Sequence, residues 1–264
     1  MRENNKDKLA YYGIIGVSMM AIAVLLWIII YIGIRGIAHI NLAKLFLPIV
    51  TTIYMVLIAL MIAVPIGIGG AIYLNEYAKE GKLVSAVTFA TECLAAVPSI
   101  IFGLFGMMFF VITLKMGYSL LAGSLTVAMV ILPTIVKTTQ EALKTVPNSY
   151  REASLALGAT KYRTIFKVIL PSAMSGTLTG IVLAIGRIVG ETAAIYLTAG
   201  TMLKMPQNIM DSGRTLSVHL YMLAKEGISF EDAYGTSMVL LVVILMLNLS
   251  IYFIAGKVDK AKGK

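Results

Sequence analysis

Sulfur and imidazole are almost missing from this sequence: its 264 residues include one cysteine, Cys93, and two histidines, His39 and His219. A lone thiol cannot close an intrachain disulfide, and two histidines far apart with no cysteine beside them form no metal-ligand pattern. No metal site and no redox role are therefore assigned. Charge is scarce as well, with 13% of residues charged against about 25% in an ordinary soluble domain. The phosphate-cradling pattern G-x-x-x-x-G-K-[ST] is absent, because the pairs Gly81-Lys82, Gly256-Lys257 and Gly263-Lys264 are not followed by serine or threonine. Paired carboxylates and nucleophile–base sets are missing from the apolar stretches, so no catalytic residues and no cofactor are assigned. Repeats with a period of 20–50 residues are also absent, as is any polar stretch long enough for a soluble domain.

What the chain has instead is apolar length: 59% of its residues are hydrophobic. A helix crossing hydrocarbon needs about 20 mostly apolar residues, and the gaps between charges predict six such helices, at about 10–34, 47–74, 95–114, 116–136, 169–198 and 234–256. Lys6 and Lys8 precede the first in the manner of a signal peptide, but its apolar run is long and no small-residue cleavage pattern follows, so it reads as a retained span. The net charge of +9 comes from basic residues lying between the apolar runs, where charge orients a chain in a lipid bilayer rather than marking a nucleic-acid surface. With both termini on one side, that side carries 15 lysines and arginines and the other 6, leaving Arg187 within the fifth span. The positive-inside rule then places both termini in the cytoplasm of a multi-pass protein.

Two segments lie off this ladder. Between spans two and three the chain is polar and then amphipathic, and Pro98 disfavours a helical Val97, which predicts a short cytoplasmic-side helix that breaks before span three. The stretch from Lys204 to Asp232 is polar enough for an extracytoplasmic loop, with Thr215–Lys225 as a surface helix.

The cytoplasmic loop at about 137–167 contains an unusual joint. Ser149 and Glu152 have the S-x-x-E spacing of a capping box, predicting a helix start near Tyr150. Gly158, two turns on, suits a left-handed C-terminal position, and Thr160 can cap a new helix that carries Tyr162, Ile165 and Phe166 toward the bilayer. Pro171 would kink that second helix unless the helix restarts there. Arg151, Lys161 and Arg163 surround small residues and offer a docking surface, as a merely solvated face also would.

Span five carries the most chemistry. On a regular helix, Gly176, Gly180, Ala184, Arg187 and Glu191 fall within about 80° of one another, while Ile181, Ile185, Ile188 and Val189 point elsewhere. Small residues permit close helix approach or leave room for a polar passage, and an arginine near mid-helix must face a partner or water. Two readings follow for Arg187 and Glu191: a self-neutralising pair four residues apart, or a binding or relay site in which the guanidinium holds a tetrahedral oxyanion through parallel hydrogen bonds.

The spacing Glu152-Ala153-Ser154, Gly158, then Val168-Ile169-Leu170-Pro171 resembles the EAA loop of ABC-importer permeases, with Ser154 and Val168 as mild departures. "GRIVGETAAIYLTAG", "LAAVPSIIFGLFGMMFFV", "GIGGAIYLNEYAKEG" and "GRTLSVHLYMLAKEG" resemble the A-type (PstA-like) permeases of phosphate importers, and the resemblance covers about residues 45 to 256. It implies an all-α integral membrane fold of the type I, MetI-like class, with six transmembrane helices and a cytoplasmic coupling helix. It also implies a bacterial or archaeal cell membrane location and four kinds of partner: a homologous C-type permease, two copies of an ATPase, an extracytoplasmic phosphate-binding protein, and inorganic phosphate itself. Carried over residue by residue, Glu152, Ala153, Ser154, Gly158, Ala159 and Thr160 would couple to the ATPase. Arg187, Glu191 and Thr192 would line the substrate pathway, with Arg214 a weaker candidate for which a structural role is equally open. A permease for sulfate or molybdate would share the coupling loop; a self-contained channel or an intramembrane enzyme would need no ATPase.

Overall fold

Apolar runs too long for a soluble helix set the architecture. The computed structural model describes residues 5–79 and 81–262, and every regular element among them is helical. The first two helices are α1 (Asn5–Ile37) and α2 (Leu42–Ile72), the latter extended by a π-helical turn, Tyr73–Tyr77. Next come α3 (Lys82–Ala96) and α4 (Ser99–Gly106), which runs on as a π-helical stretch, Met107–Thr113, and then α5 (Leu120–Lys144). The polar joint comprises α6 (Asn148–Ala156), α7 (Lys161–Thr164) with a π-helical continuation, Ile165–Ile169, and the single turn α8 (Leu170–Ser172). After it come α9 (Met174–Gly190), α10 (Ala193–Thr198), α11 (Leu216–Lys225) and α12 (Phe230–Lys262).

Four of these helices are long and apolar enough to cross a membrane, and the number rises to six if each of two bent pairs is one span. The first bend falls at a proline and the second two residues after one. Val84–Ala96 meets Ser99–Thr113 at 99°, because Val97 is driven into an extended conformation by the ring of Pro98. Lys161–Ser172 meets Met174–Gly190 at 67°; Pro171 is accommodated in the first turn of α8, where its missing N–H costs nothing, and the helix restarts after Ala173.

The core is a sandwich of α2, α5 and α9. On α2, every fourth residue from Met55 through Ala59, Ala63 and Gly67 to Ala71 is buried, a ridge that lies against Val127, Ile131 and Ile135 of α5. A Cβ placed on Gly67 would come within 2.6 Å of the Ile135 side chain, so the two helices touch almost backbone to side chain there. α5 is the central helix: 67% of its apolar window is buried, compared with none of that of α1, which packs on α12 and otherwise turns outward. The exposed isoleucines, leucines and Trp27 of α1 form an apolar surface of the kind lipid covers.

Two expectations change. α5 continues to Lys144, eight residues into the stretch read as loop. The Thr215–Lys225 segment is helical and capped by the Thr215 side chain, but it is not a surface helix: Leu216, Val218, His219, Met222 and Leu223 are buried. Its first free N–H, on Leu216, donates to the buried hydroxyl of Thr52 on α2 at 2.9 Å. The connection before it closes over the start of α5, where Leu120 and Leu121 donate to the carbonyls of Asp211 and Ile209 at 2.9 and 2.8 Å, supplying acceptors for helix-end donors that would otherwise be orphaned. The chain termini, whose side the charge count addresses, lie outside the described residues.

Candidate functional site: a turn at one end of α5 and a broken helix beside it

Local chemistry accounts for most of the turn at Gly158. Gly158 has φ +80°, left-handed as expected, and its N–H and that of Ala159 return to the carbonyls of Leu155 and Ser154 at 2.9 and 3.2 Å. This is the Schellman pattern that ends a helix. Thr160 caps α7 by accepting from the N–H of Arg163. Ser154 and Thr164 share a 2.9 Å hydroxyl hydrogen bond that pins the two arms together. Beneath them Ile165 and Ile169 pack with Ile72, Leu143 and Val146. The outer surface is left to Glu152, Ala153, Leu155 and Leu157, the last 88% exposed.

Two expectations fail here. The Ser149–Glu152 capping box does not form, because Pro147 occupies the N-cap and α6 already begins at Asn148, which places Ser149 inside the first turn. Of the three cations offered for docking, only Arg163 faces outward without a described partner role. Arg151 turns inward to Glu76 at 2.7 Å, and Lys161 lies 5.0 Å above the Tyr77 ring.

The second region is built on α9. Methyls placed on Gly176 and Gly180 would collide with Ala142 and Thr138 of α5, so this small-residue face is a close helix contact. One and two turns further along the same seam, Ala184 is fully buried and Arg187 reaches Thr134 of α5 with a 3.4 Å hydrogen bond. Next to the seam a groove of about 830 Å³ opens toward the Gly158 end, walled by Thr138, Glu141, Thr145, Ser175, Thr179 and Leu183. The hydroxyls of Thr138, Thr145 and Thr179 donate to carbonyls of their own helices, which leaves their lone pairs to make a wettable wall. Leu183 is one turn from Arg187 and Thr138 one turn from Thr134, so the groove wall ends one helical turn short of the Arg187–Thr134 contact.

Glu191 does not share the helix face of Arg187. α9 stops at Gly190, Glu191 is extended, and its carboxylate folds forward to accept from the N–H groups of Thr192 and Ala194 at 3.1 and 3.2 Å, capping α10. Its carbonyl accepts from the buried hydroxyl of Ser217 on α11 at 2.6 Å. The self-neutralising pair is thus replaced: no ion pair joins Arg187 to Glu191 among the described residues, since the regular-helix projection ends one residue short of Glu191.

Thr192 lines a different cleft, of about 600 Å³, with Tyr196, Leu197, Ser217 and Tyr221. Arg214 is tied into the connection before α11, donating from Nε to the carbonyl of Thr201 at 2.7 Å. The structure therefore brings Glu191 and Thr192 together and holds Arg187 and Arg214 elsewhere. Thr134, Thr138 and Ser217 were missed by sequence reasoning. The four-residue spacing of Thr134 and Thr138 on an apolar helix was a readable signal; nothing near Ser217 pointed to Glu191.

The family described as "Binding-protein-dependent transport system inner membrane component" matches residues 63–264. The chain is 33% identical over 223 residues to a probable ABC transporter permease protein, YqgI, of Bacillus subtilis, covering 78% of this chain and 76% of that one. It is 34% identical over 197 residues to the phosphate transport system permease protein PstA of Xylella fastidiosa, covering 74% and 69%. A longer relative of that name in Mycoplasma pneumoniae is also matched, and the chain spans 32% of its length. Among solved structures, a permease chain of a bacterial alginate ABC transporter, in complex with an alginate-bound periplasmic protein, superposes with a TM-score of 0.72 at 16% identity, over 97% of this chain and 96% of that one. At that identity the likeness speaks for the fold, the MetI-like fold of type I importers.

Proposed function

The chain belongs to the family of binding-protein-dependent transport system inner membrane components, and from that premise we propose that it is the permease subunit of an ATP-driven importer of inorganic phosphate. It is an integral membrane protein of six crossings, two of them bent, with both termini in the cytoplasm of a bacterial or archaeal cell. Its partners are a homologous C-type permease, two ATPase subunits that carry the nucleotide chemistry this chain lacks, and an extracytoplasmic phosphate-binding protein. The names of the Xylella and Mycoplasma relatives support the substrate.

The observation that carries the reading is the state of Arg187. A guanidinium has five N–H donors, yet among the described residues Arg187 makes one hydrogen bond, at 3.4 Å. A cation held at membrane depth with uncommitted donors, one helical turn beyond a wettable groove, is fitted to a tetrahedral oxyanion. In the proposed cycle ATP closes the ATPase pair against Glu152–Gly158, whose exposed Leu155 and Leu157 supply the apolar contact. The helix bundle then opens outward, phosphate arrives from the binding protein, and the return movement exposes it to the groove beside α5.

Arg187→Gln tests this directly. Losing charged hydrogen bonds worth about 1.5–3 kcal/mol predicts a fall of about 10- to 100-fold in phosphate uptake, with the ATPase still co-purifying. Wild-type uptake by the variant would reduce Arg187 to a seam residue. Competition by sulfate or molybdate in the same assay separates phosphate from another oxyanion, because a guanidinium alone does not distinguish them.

A further inference from the structure

The Arg151 side chain carries a second arrangement that the docking surface does not use. Nε approaches both oxygens of Glu76 at 3.3 Å, and Nη2 lies 2.7 Å from Glu76 Oε1. Nη2 also donates to the Leu143 carbonyl at 3.1 Å, while Nη1 donates to the Val146 carbonyl at 2.9 Å and to Asn148 Oδ1 at 3.2 Å. One guanidinium thus fastens α6 to the end of α2, where Glu76 sits in the π-helical turn, and to the Leu143 carbonyl in the last turn of α5, which also accepts from the N–H of Val146 at 3.4 Å. The pair is sheltered, with 20% and 8% of the two side chains exposed, and Glu76 is braced by Asn75 Nδ2 at 2.9 Å. Below it Ile72 of α2, Leu143 of α5, Val146 just after α5, and Ile165 and Ile169 of the π-helical stretch after α7 form an apolar cluster. Lys161, over Tyr77, ties α7 to the same turn.

The covalent route from α6 toward the groove is poor at carrying a push. It passes through the left-handed turn at Gly158, a π-helical segment and the 67° bend at Ala173 before reaching α9. The route through Arg151 is shorter: it crosses one π-helical turn, where Glu76 sits, to reach α2, and meets α5 directly at the Leu143 carbonyl, and these two helices are packed along their length by the four-residue ridge.

We propose that Arg151, held by Glu76, is the joint through which movement of α6 is delivered to the α2–α5 pair, so that these three elements move as one body and α9 moves against them. Lysine cannot replace it, since an ammonium on a single stem cannot bridge a carboxylate and carbonyls of two different segments at once. Arg151 is a positioning residue and touches no substrate. The inference rests on the proposed reading of Glu152–Gly158 as the ATPase-facing helix.

The test uses the assembled transporter with Cys93→Ser and spin labels at Ser149→Cys, exposed in the first turn of α6, and Tyr118→Cys, near opposite ends of the body in question. In the parent, the distance between labels is expected to be the same with and without ATP. In Arg151→Lys it should broaden and shift with ATP, while uptake per ATP hydrolysed falls about tenfold and hydrolysis itself is kept. Glu76→Gln should show the same split more weakly. An unchanged distance in Arg151→Lys, or equal loss of hydrolysis and uptake in both variants, would overturn the joint. Absence of ATPase from the parent complex would instead remove the reading beneath it, and the inference with it.

Discussion

The helix ends at Gly158 and at Gly190, and the two endings are built from opposite materials. The first is closed by bonds within eleven residues: the Schellman pair from Gly158 and Ala159, the Thr160 cap, and Ser154 against Thr164. The second adds to its local cap, the Glu191 carboxylate on Thr192 and Ala194, bonds from a distance: Ser217, 26 positions away, on the carbonyl of Glu191, and Arg187 reaching Thr134 across 53 positions. A break made of local bonds keeps its shape while it is pushed, which suits a segment that takes force from another subunit. A break held by neighbouring helices changes when those helices move, which suits a segment that meets substrate in one state and releases it in another.

The comparison breaks most severely at the seam between α5 and α9. Gly180→Val would drive two methyls into Thr138, at a cost of about 1–3 kcal/mol for overpacking, and would spread the groove wall below Arg187. A lower thermal midpoint in detergent, together with lost uptake, is expected; a variant with wild-type values of both would mean that the two helices do not meet there. Gly158→Ala probes the other region. A left-handed alanine costs about 1–2 kcal/mol, so the α6 turn should loosen and ATPase co-purification weaken while binding to the groove is spared. Undiminished co-purification would count against a rigid turn.

Glu191 sharpens the contrast with smaller effects. Its carboxylate caps α10 with one oxygen, a role an amide oxygen also fills. Glu191→Ala should therefore destabilise by about 0.5–2 kcal/mol as a lost cap, and Glu191→Gln much less. If Glu191→Gln is stable and still fails to transport, the carboxylate charge has a part beyond capping; if it transports normally, capping is its whole role.

These contrasts also explain what could be read in advance. Gly158 and Thr160 were legible because glycine at a left-handed position and threonine at an N-cap act on bonds two to five residues away. The break at Pro98 was legible for the same reason, whereas the second bend falls at Ala173, two residues past Pro171, around which the helix continues. The capping box was misread because its spacing is common and Pro147 alone fixed the start of α6. Arg187 was legible as a charge in an apolar run, but its alignment with Glu191 assumed a regular helix through Gly190, and the forward fold of the Glu191 carboxylate depends on α11. Arg151 was read as a surface cation because its partner, Glu76, lies 75 positions earlier in the chain. Helix ends governed by backbone preference were visible in the sequence, and side chains whose partners come from another helix were not.

The smallest expected effect separates the two breaks by acid alone. His219 sits two residues beyond Ser217 on α11, buried, with Nδ1 lacking a hydrogen-bond partner among the described residues. Burial first, and then the positive charge of Arg214, hold its imidazole below the ordinary value of 6.5, against a weaker opposite pull from Asp232. A histidine with a lowered pKa in the fold favours the neutral form there, so the unfolded chain binds more protons as pH falls. Stability from this group is present above about 6.5 and declines as pH drops below it toward the folded value. The Gly158 turn has no titrating side chain in its own hydrogen bonds. Hydrogen exchange at pH 5.5 relative to pH 7.5, corrected for the intrinsic rate, should therefore accelerate over residues 216–223 and not over 150–164, and His219→Gln should abolish the difference. Equal acceleration in both segments would mean that acid acts on the whole bundle, and that the broken helix is not separately latched by α11.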